Sequence, residues 1–183
     1  MSDAELHLPE VVASRQIHSG WLGLRIDRLR YPNGRETTSE VIEHGGGVVL
    51  VAFDEGGRLL MVRQYRHPTG RLLLELPAGT IDPGEEPEVC AARELQEETG
   101  FLPRRIDKLG GFYSAPGFCS EYLHVFLCGD LVESSLEGDE VQIALQPVPL
   151  DDVLAMIMAG QIEDAKTAGA LLLYLQRRES GNA

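Results

Sequence analysis

The sequence predicts an α+β fold, or a mixed-sheet sandwich with helices on its faces, and three observations carry that expectation. Strand-like runs fill the first half of the chain, one strong helical segment interrupts them at 87–99, and further strands precede two closing helices. This order, β-rich then helix then β-rich then helix, is the signature of sheets and helices in packed layers. The length of 183 residues suits one ordinary domain, or one domain with a small appendage, and can bury a self-sufficient core. With 43% hydrophobic and 25% charged residues, there is enough apolar surface to offset the entropy of ordering.

The elements follow in order. Residues 11 to 43 hold VVASRQIHS, LGLRIDRLRY and TSEVIEH, separated by the turn signals SG and PNG, which predicts a small antiparallel sheet or meander. A three-stranded sheet of this size has little core of its own and needs a packing partner. HGGG at 44 to 47 is a hinge into a main domain, so the expected division is 1–43 and 44–183. GVVLVAF and RLLMVRQYR, joined by DEGG, read as paired strands, and VVLVAF is apolar enough for burial on both faces. LLLELPAG is a further strand ending at Pro and Gly. PEVCAARELQEETG is the best helix in the chain: Pro87 suits the first turn, no Gly or Pro interrupts it, and Gly100 suits the C-terminal cap. Strands recur at KLGGFYSA, EYLHVFLCGDL and VQIALQPV, before the helices DDVLAMIMAG and DAKTAGALLLYLQRR.

Composition narrows the function. A net charge of −13 and a pI near 4.7 argue against sequence-independent binding to nucleic acid, which depends on Lys and Arg neutralising phosphates. The same charge repels a phosphorylated small molecule unless a divalent cation or a local basic patch accompanies it. Cys90, Cys119 and Cys128 are odd in number and lack Cys-x-x-Cys spacing, as expected of reduced thiols in a cytoplasmic protein. The acidic start MSDAELHLPE does not read as a signal peptide, and no apolar run approaches the roughly 18 residues of a membrane span.

The helix at 87–99 carries the chemistry. At about 100° per residue, Ala91, Ala92, Leu95 and Thr99 share one side, while Glu94, Glu97 and Glu98 cluster on the opposite side. Carboxylates at such spacing repel one another by roughly a few tenths of a kcal/mol per pair, and in the last turns the helix dipole also disfavours them. Glu85, just before the helix, adds a fourth carboxylate able to fold back toward the cluster. An all-oxygen group of this kind suits hard divalent cations such as Mg²⁺.

The spacing is specific: Gly79, five residues, Glu85, seven residues, Arg93-Glu94-Leu95, one residue, Glu97-Glu98, one residue, Gly100-Phe101. It resembles the Nudix box of the Nudix hydrolases at every specified position. Seven fixed residue types at average usage give a chance match on the order of 10⁻⁸ per window. The resemblance implies a Nudix-type α/β/α sandwich over 44–183 and hydrolysis of a nucleoside diphosphate linked to a further moiety. It also implies Mg²⁺ or Mn²⁺, two or more ions per site. Carried over residue by residue, Glu94 and Glu98 are metal ligands, Glu97 is a ligand or its support, and the Ala78 carbonyl is a further ligand. Arg93 is an orienting partner of a box glutamate, expected to be Glu85.

Outside the box, several features resemble the ADP-ribose pyrophosphatase subgroup: Pro116 fifteen residues beyond Phe101, ELPAG before the box, RQYRHP at 63–68, and the small N-terminal sheet. That subgroup implies cleavage of ADP-ribose to AMP and ribose 5-phosphate by a homodimer that exchanges the N-terminal sheet. Arg66 matches a position that contacts the diphosphate, Trp21 offers a surface for adenine, and Glu121, with Pro116, is expected near the ribose end. A loop carboxylate from SSLEGDE is expected to act as general base or additional ligand; Glu137 is favoured over Asp139 and Glu140. His67, Tyr65 and Lys166 receive no role. The competing readings are a pyrophosphatase for GDP- or UDP-sugars, dinucleoside polyphosphates or coenzyme A, and a sensor that binds ADP-ribose without cutting it. The complete set of glutamates argues against the sensor.

Overall fold

The structure, a computed structural model, describes residues 7–134 and 143–181. The chain divides into two compact units, one running through Gly45 and including Ala115–Glu121, the other formed by Gly46–Ser114 and the chain from Tyr122 onward.

The first unit is the expected meander. Strands β1 (Glu10–His18), β2 (Gly23–Arg30) and β3 (Glu36–Glu43) pair antiparallel in the order β1-β2-β3. The turn before β3 is closed by Gly34 N–H donating to the Tyr31 carbonyl at 2.9 Å, with Gly34 in the left-handed region (φ 81°) that the PNG signal requires. Asp27, buried within this sheet, accepts from Ser14 Oγ at 2.6 Å and Arg25 Nε at 2.9 Å. Those bonds hold its carboxyl below the usual range. Residues 115–121 join β3 through Ile42, whose N–H donates to Phe118 O and whose carbonyl accepts from Ser120 N–H.

The second unit carries two sheets. One is mixed, in the order β7-β4-β9-β8, built from β4 (Gly47–Ala52), β7 (Ala78–Thr80), β8 (Phe101–Tyr113) and β9 (Tyr122–Glu133). Only β4 and β9 run parallel. The other is antiparallel, in the order β10-β5-β6, from β5 (Arg58–Arg66), β6 (Arg71–Glu75) and β10 (Ile143–Pro149). Three helices complete it: α1 (Pro87–Thr99), α2 (Leu150–Met158) and α3 (Ala165–Glu179).

The structure departs from two strand expectations. The strands on either side of the Asp54–Gly57 turn are not a ladder. They touch through the single bridge Phe53–Leu59 and then diverge into different sheets. A strand has two hydrogen-bonding edges, and both edges of β4 are taken by β7 and β9, so β5 turns to β6 and β10 instead. Strand β8 also starts earlier than the KLGG signal implied. It runs through Pro103, which an edge strand tolerates because one of its backbone edges has no partner to serve.

The core explains the apolar run of β4, whose six residues are all buried. Val49 and Val51 face one cluster with Leu59, Met61, Leu76, Val125 and Leu171. Val48, Leu50 and Ala52 face the other with Cys90, Ala91 and Leu95 of α1 and Phe126 of β9. Helix α1 therefore lies on the mixed sheet through the apolar side its sequence marked. It ends at Gly100, where φ of 77° lets the N–H return to Gln96 O.

Leu95 is fully buried at the centre of that contact. Leu95→Ala is expected to cost about 2–5 kcal/mol of stability by urea unfolding, the usual range for a core leucine. A loss below about 1 kcal/mol would contradict this account of how α1 is seated.

Candidate active site

Strand β7, the loop after it and α1 build the site together. The loop is closed on itself: Glu85 N–H donates to Asp82 O at 2.9 Å, and Asp82 N–H donates to Glu85 Oε2 at 3.0 Å. Glu85 is thereby turned back toward the helix, where Arg93 meets it with two parallel bonds, Nε to Oε1 at 3.0 Å and Nη2 to Oε2 at 2.9 Å. The same guanidinium donates from Nη1 to Glu94 at 2.7 Å and Glu97 at 3.4 Å, and from Nη2 to the Thr80 carbonyl at 3.2 Å. The spacing of the box thus becomes contact: Arg93 gathers Glu85, Glu94 and Glu97 and ties them to β7.

These carboxylates are not a solvated helix face. The side chains of Glu85 and Glu94 are only 12% and 13% exposed, and Glu98 is half-buried, accepting from Ala78 N–H at 3.0 Å. Glu94 lies over Gly79, where a Cβ would fall 1.8 Å from its Cδ. The glycine of the box is therefore the space that Glu94 occupies. Arg93 lowers the carboxyl of Glu85 to about 2, through its hydrogen bonds first, against the opposing effect of burial, and with help from Asp82 N–H. The guanidinium is held in its charged form in return. Cys90, beneath the cluster, is pushed up by burial and by the charges of Glu85 and Glu94, so it remains a thiol and is no nucleophile.

Among the described residues, no three His, Cys, Asp or Glu side chains stand close enough to share one metal ion. The cation at the centre of this arrangement is Arg93. The donor chemistry nonetheless fits a hard divalent cation: every side-chain donor is a carboxylate oxygen, with Glu85, Glu94 and Glu97 around one guanidinium and Glu98 bonded to Ala78 N–H beside them.

Arg66, at the end of β5, makes a two-bond pair with Glu75, Nε to Oε1 at 2.8 Å and Nη2 to Oε2 at 3.0 Å, and keeps 34% of its side chain exposed. Trp21, Pro116 and Glu121 all belong to the unit of the N-terminal sheet. Trp21 is 74% exposed and stands edge-on to His44 at 5.6 Å; Glu121 Oε1 lies 3.6 Å from His44 Nε2; Pro116 is exposed in the 115–119 turn. Glu137, Asp139 and Glu140 lie outside the described residues. The sequence reading missed Glu75 and Lys166, which form an ion pair, although a glutamate inside the apolar run LLLEL was a signal that a buried charge needs partners.

A fold of this order with this helix is that of a recognised hydrolase family. The NUDIX domain matches residues 43–168, more than half of the chain, and the chain belongs to the Nudix hydrolases. It is 39% identical to an ADP-ribose pyrophosphatase of Bacillus subtilis (strain 168) over 175 residues, covering 93% of this chain and 94% of that one. It is 37% identical to an ADP-ribose pyrophosphatase of Mycobacterium tuberculosis (strain ATCC 25618 / H37Rv) over 171 residues, covering 90% and 83%. A solved structure described as an ADP compounds hydrolase superposes with a TM-score of 0.85 at 26% identity, covering 97% and 98% of the two chains.

The Glu85–Arg93 pair sets an acid limit. A carboxyl at about 2 when folded, against 4.5 ordinarily, adds stability that is fully present above pH 4.5 and is lost as pH falls from there through about 2. Urea unfolding across that window should show Glu85→Gln losing part of the wild-type pH dependence. An unchanged slope would mean the pair is not formed.

Proposed function

We propose that this protein hydrolyses the diphosphate of ADP-ribose, adding water across the linkage to give AMP and ribose 5-phosphate. Its cofactor in this reading is Mg²⁺ or Mn²⁺, two or more ions per site. The observation that carries the reading is the gathering of Glu85, Glu94 and Glu97 on Arg93, with Glu98 bonded to Ala78 beside them. The relatives named ADP-ribose pyrophosphatase support the choice of substrate, as they match most of this chain.

Glu94 and Glu98 would hold the metal, with Glu97 as a ligand or its support and the Ala78 carbonyl as a further ligand. When bound, a divalent cation offsets the charges of glutamates and diphosphate, polarises the phosphorus centre and lowers the pKa of the attacking water. The chain's own groups do the rest. Arg93 keeps Glu85 ionised and fixes the orientation of Glu94 and Glu97. Arg66 offers a planar donor to the diphosphate. Glu137, favoured over Asp139 and Glu140, would take the proton of the attacking water or serve as an additional metal ligand. Trp21 offers an aromatic surface to adenine, and Pro116 and Glu121 line the ribose end.

We infer further that residues 1–43 form an appendage exchanged across a homodimer, with 44–183 as the hydrolase domain. The three free thiols support a cytoplasmic setting, and among the described residues no helix is long and apolar enough to cross a membrane.

The test is product analysis on a panel of ADP-ribose, GDP- and UDP-sugars, dinucleoside polyphosphates and coenzyme A, with and without Mg²⁺. AMP and ribose 5-phosphate should appear in equal amounts from ADP-ribose, in a metal-dependent way and faster than products from the others. Glu98→Gln should lower kcat/KM by roughly 10²–10³, as loss of one charge-stabilising group does, while the melting temperature stays near the wild-type value. No turnover of ADP-ribose would overturn the substrate; near-normal activity of Glu98→Gln would overturn the site.

A further inference from the structure

Glu75 is the most deeply placed charge among the described residues, with no exposed surface at all. It stands on β6 opposite Val62 of β5, and two cations reach it from different elements. Arg66 of β5 bonds both oxygens of the carboxylate, while Lys166, in the first turn of α3, bonds Oε2. Lys166 Nζ is itself held by Asp164 Oδ1 at 3.0 Å. Asp164 caps α3, accepting at Oδ2 from Thr167 N–H at 3.0 Å and from Thr167 Oγ at 2.6 Å. Thr167 Oγ in turn accepts from Leu76 N–H at 2.9 Å, next in the chain to Glu75. The chain of bonds therefore leaves β6 at its last residue, Glu75, and returns to the backbone at Leu76, the residue just past its end.

A buried ion group of this sort is weak evidence for stability, because apolar residues of similar volume often serve as well. What it does supply is orientation. The Oε2 atom is shared between Arg66 Nη2 and Lys166 Nζ, so Lys166 fixes the rotation of the carboxylate, and the carboxylate fixes the plane of the guanidinium.

We propose that Glu75 and Lys166 are positioning residues for Arg66, presenting its guanidinium to the diphosphate in one orientation set by the N-terminus of α3. The inference rests on the reading of Arg66 as a diphosphate contact. A guanidinium fixed in advance loses less freedom when it binds, so the device acts on affinity for the substrate rather than on the chemical step.

Steady-state kinetics with ADP-ribose at saturating Mg²⁺ test it, using Arg66→Gln, Glu75→Gln, Lys166→Met, Lys166→Arg and the double variant Arg66→Gln with Lys166→Met. Lys166→Met should raise KM by roughly tenfold, the scale of one charge-assisted hydrogen bond, with kcat within about twofold of wild type. Lys166→Arg should restore most of the affinity. In the Arg66→Gln background, Lys166→Met should have no further effect on KM, because the two act as one unit. Glu75→Gln should raise KM in the same way, and if that variant does not fold, the Lys166 series carries the test alone. If Arg66→Gln raises KM but Lys166→Met does not, or if Lys166→Met acts equally with and without Arg66, the positioning role is wrong while the site stands. If Arg66→Gln leaves KM unchanged, the assignment of Arg66 is wrong and this inference goes with it.

Discussion

The structure depends on one guanidinium. Arg93 binds Glu85 by two parallel hydrogen bonds, reaches Glu94 and Glu97, and donates to the Thr80 carbonyl, so a helix, a loop and a strand are joined at one group. Carboxylates at i, i+3 and i+4 near a helix C-terminus are unfavourable to one another and to the helix dipole. Arg93 makes that crowding tolerable, and its pairing keeps Glu85 ionised far below the usual carboxylate range. The same crowding, an excess of oxygen donors on rigid elements, is what a hydrolase of diphosphates requires.

The rigidity comes from β4. Its burial on both faces seats α1 on one side of the mixed sheet and the second sheet with α3 on the other. Its pairing with β7 fixes Ala78 and Gly79 beneath the helix, so Glu98 finds an N–H and Glu94 finds the space over a residue without a Cβ. The box is therefore a packing arrangement as well as an acidic cluster. Membership of the Nudix hydrolases follows from the match over residues 43–168, and the fold accounts for why those residue types stand at those spacings.

Much of this was legible in the sequence because it is local. The limits of α1, with Pro87 opening it and Gly100 closing it, follow from capping chemistry within one segment, and the Glu85–Arg93 pair is what the resemblance to the Nudix box implied. The three-stranded meander was legible for the same reason, since PNG turns and alternating residues need no distant partner. What was not legible is long-range. The parting of β4 from β5 is decided by β9, some seventy residues later in the chain, taking an edge of β4. The partners of Glu75 are nine and ninety-one residues away, so its burial marked a need for cations without naming Lys166.

The most direct test of the central claim is the binding of Mn²⁺ to the protein without nucleotide, followed by the electron paramagnetic resonance signal of the free ion. Wild-type protein should take up Mn²⁺, and replacing both Glu94 and Glu98 by Gln should weaken that uptake by at least about tenfold while circular dichroism remains unchanged. Equal uptake by the two proteins would show that Glu94 and Glu98 are not where the metal binds.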